Sequence, residues 1–165
     1  LSDKTIVDLI LVAEEAIAEM ILLAERQDNH LTLVCGDVGL NVYANRDKLK
    51  QVLLNLLDNS LTYCLAGDAI TVTVAEENDT ILCTVADTGN GIPQQHLARI
   101  TEQFYRADRQ HPGSGLGLAI VKEIVKQHDG HLTITSSTEG AYKGTCVTIS
   151  LPKIPVSSEN LPEKL

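Results

Sequence analysis

Four groups of residues stand where chemistry would need them. Asn55, Asn59 and Tyr63 are each four apart, so on a helix they lie one above the other on a single face. Asparagine is a weak helix former, and two near the middle of an apolar helix need hydrogen-bond partners if buried. One such amide would bond neighbouring backbone. Two in register favour a ligand, and an amide oxygen is a hard neutral donor that suits Mg²⁺ beside waters and substrate phosphates. Further on, the apolar run from Ile81 to Ala86 delivers Asp87 directly into Gly89 and Gly91, in VADTGNGIP. A carboxylate at the floor of a pocket can accept a hydrogen bond from an exocyclic amine such as that of adenine. Asp before Gly is equally the start of an Asx turn, so this stretch alone leaves both roles open.

The third group is the glycine-rich stretch DRQHPGSGLGLAIV, residues 108–121, in which Gly113, Gly115 and Gly117 alternate with Ser114 and Leu116. Glycines running into a helix start form a natural phosphate site, because free N–H groups and the positive helix end point the same way. An isolated GxGxG is as often a flexible loop before a helix. Between the second and third groups lies a long polar segment containing Phe104, Tyr105 and Arg106. Such a segment suits a lid, with Phe104 as its packing anchor and Arg106 as a bidentate phosphate contact or a solvated surface charge.

These residues need elements to hold them. Ser2 and Asp3 can cap a helix running to about Arg26, whose apolar residues from Ile6 to Leu23 recur at helical spacing. Leu31–Cys35 and Asn41–Ala44 read as short strands that would pair as a hairpin. Asn45-Arg46-Asp47 opens the asparagine-bearing helix, whose other face is Leu49, Val52, Leu53, Leu56, Leu57, Ser60 and Leu61. Strands follow from Ile70 to Ala75 and from Ile81, separated by a turn over 76–79. A short helix is expected from Gln94 to Thr101 and a longer one from the glycines to about His128. Asp129-Gly130 caps that helix, and strands at 131–136 and 144–151 close the chain before a Pro- and Ser-bearing tail.

Composition narrows the classes. With 165 residues and 44% hydrophobic content the chain is one globular domain, alone or with a short extra segment. A net charge of −9 and an aromatic content of 3% argue against a nucleic-acid partner. The cysteines 35, 64, 83 and 146 have no metal spacing and read as buried free thiols of a reducing compartment. No apolar run reaches a membrane span, so this piece is expected to be soluble and cytoplasmic, in a free protein or as the cytoplasmic part of a membrane-anchored one, without membrane contact of its own. The five histidines show no ligand pattern and are read as turn or surface residues.

In order, NLLDNS (55–60), DTGNGI (87–92), EQFYR (102–106) and GSGLGLAIV (113–121) resemble the N box, first glycine box, F box and second glycine box of one family. It is the catalytic and ATP-binding domain of bacterial sensor histidine kinases, within the larger group that holds DNA gyrase, the MutL mismatch-repair protein and heat-shock chaperone ATPases. GTCVTISLP (144–152) is similar to its closing strand, and the likeness runs from about Asn45 to Pro152. The resemblance implies an α+β fold, a two-layer α/β sandwich of the Bergerat type with three helices on one face of a mixed sheet.

It also implies roles. Asp87, helped by Thr145, would bind the adenine amino group, and Gly89 and Gly91 would let the base approach. Asn59 with Asn55 would hold Mg²⁺ bridging the phosphates of ATP. Gly115 and Gly117 would wrap those phosphates, and Phe104 and Arg106 would belong to the mobile lid. Tyr63, Ile92, Tyr105, Gly113, Ser114, Leu116 and Leu118 complete the implied ATP-binding set, and Asn55, Asn59 and Arg106 the catalytic one.

Two departures stand out. Thr62 occupies a place where such kinases often carry Lys, which removes one charge near the phosphates. Family members that hydrolyse ATP resemble one another in carrying Glu four residues before the Mg²⁺ asparagine; here that place is Asn55, and an amide cannot act as general base. The pocket is therefore expected to hold ATP for in-line transfer to a protein histidine. No histidine here sits in the family's H-E-x-x-x-P-L acceptor run, so the acceptor is expected on a separate dimerisation domain before Leu1. Residues 1–30 would be the linker from it, 31–152 the ATP-binding domain and 153–165 a disordered tail. A response regulator would be the downstream partner. A serine kinase of the anti-sigma-factor type and a degenerate nucleotide-binding scaffold are the alternatives.

Overall fold

A computed structural model of the chain describes residues 3–103, 105 and 117–154. Its centre is a five-stranded mixed sheet built from β2 (His30–Val34), β4 (Ala69–Glu77), β5 (Thr80–Asp87), β6 (His131–Ser137) and β7 (Gly144–Pro152), in the spatial order β2-β4-β5-β7-β6. The β2–β4 pairing is parallel, and the other three are antiparallel. A separate antiparallel ribbon joins β1 (Thr5–Asp8) to β3 (Asn41–Ala44). The long helices are α1 (Leu9–Arg26), α2 (Arg46–Tyr63) and α4 (Gly117–Gln127), and a single turn, α3 (Gln94–Leu97), follows Pro93.

Alternation along the strands decides which face is covered. Ile70, Val72 and Val74 of β4, Ile81, Cys83 and Val85 of β5, and Val147, Ile149 and Leu151 of β7 are all buried. The register places them side by side, with Val72 opposite Val85, Val85 opposite Val147 and Cys83 opposite Ile149. Against them pack Leu49, Val52, Leu53, Leu56 and Leu57 of α2, and Val121, Ile124 and Val125 of α4. Each such side chain contributes about 1.5–3 kcal/mol when removed from water. The intervening residues form the opposite face, which is rich in threonine: Thr84 and Thr148 sit across from each other with their hydroxyls 3.2 Å apart. This is the two-layer α/β sandwich that the four boxes imply, with the helices on one side.

Three local expectations are corrected. First, the N-terminal helix begins at Leu9, not Ser2. Thr5-Ile6-Val7 is a β-branched run that prefers extended backbone, and it pairs with β3. Asp8 is the cap: one carboxylate oxygen accepts from Ile10 N at 3.0 Å and from Leu40 N at 3.2 Å. Leu9, Val12, Ala13 and Ala16 then bury a full face of α1 in the core. Second, the strands at 30–34 and 41–44 do not form a hairpin. No two-residue turn of the kind that fixes a hairpin joins them, so tertiary contacts choose their partners. β2 runs parallel to β4 through a crossover that contains α2, as parallel pairing requires. By contrast, the β4–β5 link is a tight hairpin turning at Asn78, whose φ is +55°.

Third, side-chain environments differ from the reading by type. His128 is only 3% exposed, and Cys35 is exposed although a buried thiol was expected. The short helix after Pro93 ends at Leu97 rather than Thr101. Past β7, Lys153 N donates to Asp79 O and Ile154 N to Asn41 O, so the strand's hydrogen bonding continues to residue 154. The expected disordered tail otherwise falls on residues 155–165, outside the described residues.

Asp8 ties the start of α1 to the loop before β3. Asp8→Ala is expected to lower unfolding free energy in urea by about 1–2 kcal/mol, the usual loss of an N-cap, whereas Asp8→Asn or Asp8→Ser should recover most of it.

Candidate functional site

The site is assembled where β5 ends. Strand β5 carries Asp87 out at the edge of the core, where the next residues turn away through Gly89 and Gly91. One Asp87 carboxylate oxygen accepts from Gly89 N at 2.9 Å and from Thr145 N at 3.3 Å. The first bond is the Asx turn anticipated from Asp before Gly; the second reaches across the sheet to β7. The Ser60 hydroxyl of α2 bonds to the same carboxylate. A carboxylate offers about four acceptor positions, so one remains for a ligand donor. The two roles that the sequence left open are therefore compatible.

Burial is the largest influence on this carboxyl and raises its pKa above the usual aspartate value, against the pull of the Gly89, Ser60 and Thr145 bonds; the charge of nearby Asp68 raises it further. Cys64, at the end of α2, reports the same environment: its thiol is pushed up to about 12 by burial and by Asp87 and Asp68. It stays protonated at neutral pH and is no nucleophile.

A shell of small polar residues fixes the strand ends. Ser136 accepts from Ile92 N at 2.7 Å, donates to Gly144 O at 2.8 Å, and lies 2.8 Å from the Thr145 hydroxyl. Ile92 is itself buried. On the α2 side, Asn90 N donates to Tyr63 O at 3.3 Å, tying the loop after Asp87 to the end of the asparagine-bearing helix. The glycines are close-approach positions. Gly144 has φ +130°, and a Cβ there would overlap the carbonyl of Asp87. A Cβ on Gly89 would stand 2.8 Å from Tyr63 O.

Asn55 and Asn59 share a half-buried face of α2, one turn apart. Neither amide side chain has a hydrogen-bond partner among the described residues, so neither is spent on neighbouring backbone. Two hard neutral oxygens on the helix that also supplies Ser60 to Asp87 are a donor set that fits a hydrated Mg²⁺ held mainly by phosphates. Among the described residues no cluster of three His, Cys, Asp or Glu side chains could hold a metal on its own. Gly117 and Leu118 open α4, which packs against α2.

Tyr105 is placed against the turn after α3. His96 bonds to its hydroxyl, and the Arg99 guanidinium lies 4.6 Å from the ring centre. Phe104, Arg106, Gly113, Ser114, Gly115 and Leu116 lie outside the described residues. The structure thus brings Asp87, Gly89, Gly91, Ile92, Tyr63 and Thr145 together, with Asn55 and Asn59 along the adjoining helix. Sequence reasoning missed Ser60 as a site residue, because its position fits the apolar stripe of α2. It also missed Ser136, for which the only signal was a small hydroxyl residue near the end of an edge strand.

Gly144→Ala should push β7 away from Asp87 and cost roughly 1–3 kcal/mol of stability, read by urea unfolding. Because the Asp87 pKa is raised in the folded state, the folded protein holds its proton more tightly than the unfolded chain. Its carboxyl therefore favours folding at acidic pH and loses that contribution as pH rises through the raised value. Asp87→Asn should accordingly compare better with the parent at pH 7 than at pH 4 in thermal melts.

Comparison with known proteins places this geometry. Residues 44–155 match the family described as histidine kinase-, DNA gyrase B-, and HSP90-like ATPases. The sensor protein SrrB of Staphylococcus aureus is 37% identical over 131 residues, which are 71% of this chain and 22% of that protein. The chain thus spans about a fifth of the length of that curated relative. The mycobacterial sensor histidine kinase MprB superposes with a TM-score of 0.80 at 28% identity, covering 93% of this chain and 100% of that one. Full-length ShkA in complex with AMPPNP has the same fold, with a TM-score of 0.82 at 22% identity, over 94% of this chain and 32% of that one. No described helix is long and apolar enough to cross a membrane. With the Asp87 pocket, the asparagine face and the helix-covered mixed sheet in place, the chain belongs to the histidine kinase-, DNA gyrase B-, and HSP90-like ATPase family and is similar to the catalytic domains of sensor histidine kinases.

Proposed function

We propose that this domain binds ATP with Mg²⁺ and donates the γ-phosphoryl group to a histidine on a separate dimerisation domain of the same sensor kinase, for relay to a response regulator aspartate. The observation that carries it is the Asp87 carboxylate. It is held by two backbone N–H groups and Ser60, with an acceptor position left for an adenine amine, beside the two α2 amides that have no partner among the described residues. Family membership, the sensor kinases among its relatives and the AMPPNP bound by ShkA support a nucleotide in that pocket.

In this reading Asp87 orients the base, Thr145 and Gly89 hold Asp87, and Asn59 with Asn55 supplies oxygens to Mg²⁺. Magnesium would neutralise phosphate charge. Gly115 and Gly117 would wrap the phosphates, and Phe104, Tyr105 and Arg106 would belong to a lid over them. Asn55 favours transfer over hydrolysis, since an amide takes no proton from water at neutral pH. Positioning and charge neutralisation then supply most of the rate. The net charge of −9 fits a protein partner rather than nucleic acid, and the domain itself would work in the cytoplasm without touching a membrane.

Titration calorimetry with a non-hydrolysable ATP analogue tests the pocket. Saturable binding strengthened by Mg²⁺ is expected. Asp87→Asn should weaken it by roughly 10-fold or more, the scale of one lost hydrogen bond to a charged group. Asn59→Ala should remove mainly the Mg²⁺-dependent part. Mixed with its acceptor domain and ATP, the protein should yield an acid-labile phosphoprotein; an acid-stable product would point to a serine kinase, and no analogue binding would overturn the nucleotide reading.

A further inference from the structure

His128 is the buried histidine that nothing in the nucleotide site uses. It follows the last residue of α4, is 3% exposed, and bonds at both ring nitrogens. Nδ1 lies 2.7 Å from Ile124 O, on its own helix, and Nε2 lies 3.1 Å from Asn45 N, the residue that caps α2. A carbonyl only accepts and a backbone N–H only donates. The ring must therefore be neutral, with its proton on Nδ1 and a lone pair on Nε2. Adding a proton at Nε2 would set it against the Asn45 N–H. The bond to Ile124 O would survive, and a charged ring suits a helix C-terminus, so only the bond between the helices would break.

That bond has a mechanical position. Asn45 is the junction between β3 of the ribbon and α2. At the same end of α4, Lys4 donates to Gln127 O at 2.9 Å from the segment that enters β1. The other end of α4 is Gly117, where the glycine-rich stretch meets the helix. An 11-residue helix is a rod of about 16 Å, so loosening one end tilts the other. Meanwhile α2 carries Asn55, Asn59 and Ser60.

We propose that neutral His128 is a positioning residue for the nucleotide pocket: it locks the C-terminal end of α4 to the start of α2, and protonation of its ring releases that lock. The pocket half of this statement rests on the nucleotide reading above. The charges around the ring are Lys4 before β1 and Asp129 in the turn after α4, with Arg46, Asp47 and Lys48 in the first turn of α2; Arg46 is paired with Glu15 of α1. Burial and Lys4 depress the ring's pKa below 6.5, while the Ile124 bond and Asp129 oppose them. The lock is thus held at neutral pH and above and is lost as pH falls through the lowered value.

The test compares the wild-type chain with His128→Gln, whose side-chain oxygen can accept from Asn45 N–H and does not titrate. Nitrogen-15 spectra of the wild-type ring at pH 8 should show the Nδ1–H tautomer. Hydrogen-exchange protection of the Asn45 amide, corrected for intrinsic rates, should fall about fivefold as the ring titrates, the scale of one neutral hydrogen bond, and should stay level in His128→Gln. Affinity for AMPPNP–Mg²⁺ should drop more in the wild type than in the variant between pH 8 and pH 5.5; Asp87 titrates in both proteins, so the difference isolates His128. An Nε2–H tautomer, or parallel Asn45 profiles in the two proteins, would overturn the lock. Parallel affinity profiles would overturn its link to the pocket. Failure to bind nucleotide at any pH would sink that link together with the functional reading, and the ring and amide measurements would still decide the lock.

Discussion

Everything near the site depends on how closely β5 and β7 approach at their ends. Asp87 and Thr145 lie on neighbouring strands, and the Thr145 N–H reaches the Asp87 carboxylate only because Gly144 has no side chain to hold the strands apart. That approach has an energetic counterpart. A half-buried carboxylate is costly, and its charge is tolerated because backbone donors and Ser60 meet it. Those donors are fixed by the sheet and by α2, so the carboxylate is already oriented before any ligand arrives. Preorganisation of this kind reduces what a bound base must order.

The sheet and α2 are in turn fixed by one apolar layer. The buried rows of β4, β5 and β7 meet Leu49, Val52, Leu53, Leu56 and Leu57, which sets α2 in rotation about its axis. That rotation turns Asn55 and Asn59 to a half-buried flank and Ser60 toward Asp87. A helix with its leucines shifted by one position would carry the same asparagines to another side. Core packing and site geometry are therefore one constraint. The N-terminal ribbon and α1 join the same layer through Val7, Leu9, Val12 and Val42, so the part of the chain that lies ahead of the four boxes is built into the body of the domain.

Legibility in the sequence followed the range of the interactions. Period-2 alternation gave β4, β5 and β7, and a 3.6 period gave α2, because each reflects a single buried face. The Asn78 turn was visible because a two-residue hairpin is local chemistry. The start of α1 was misjudged because apolar residues at 6, 9 and 10 satisfy a helical period while Thr5-Ile6-Val7 is β-branched; the ribbon pairing decided between them. In the sequence His128 reads as a turn or surface residue, because no ligand pattern surrounds it. Its Nε2 meets the amide of Asn45, 83 positions earlier, and no local pattern contains that.

By itself, the sequence determined the family, the layer architecture and the chemical types at the site, since four boxes in register and two periodicities are properties of the chain's order. Tertiary structure alone decided which strands pair, that β2 runs parallel to β4 while β3 joins β1, that Ser60 and Ser136 serve the Asp87 corner, and that His128 ties two helices. The reason is common to all of them. Hydrogen bonds between residues distant in sequence depend on where packing brings their elements, and a small polar residue looks the same in sequence whether it faces water or completes a buried network.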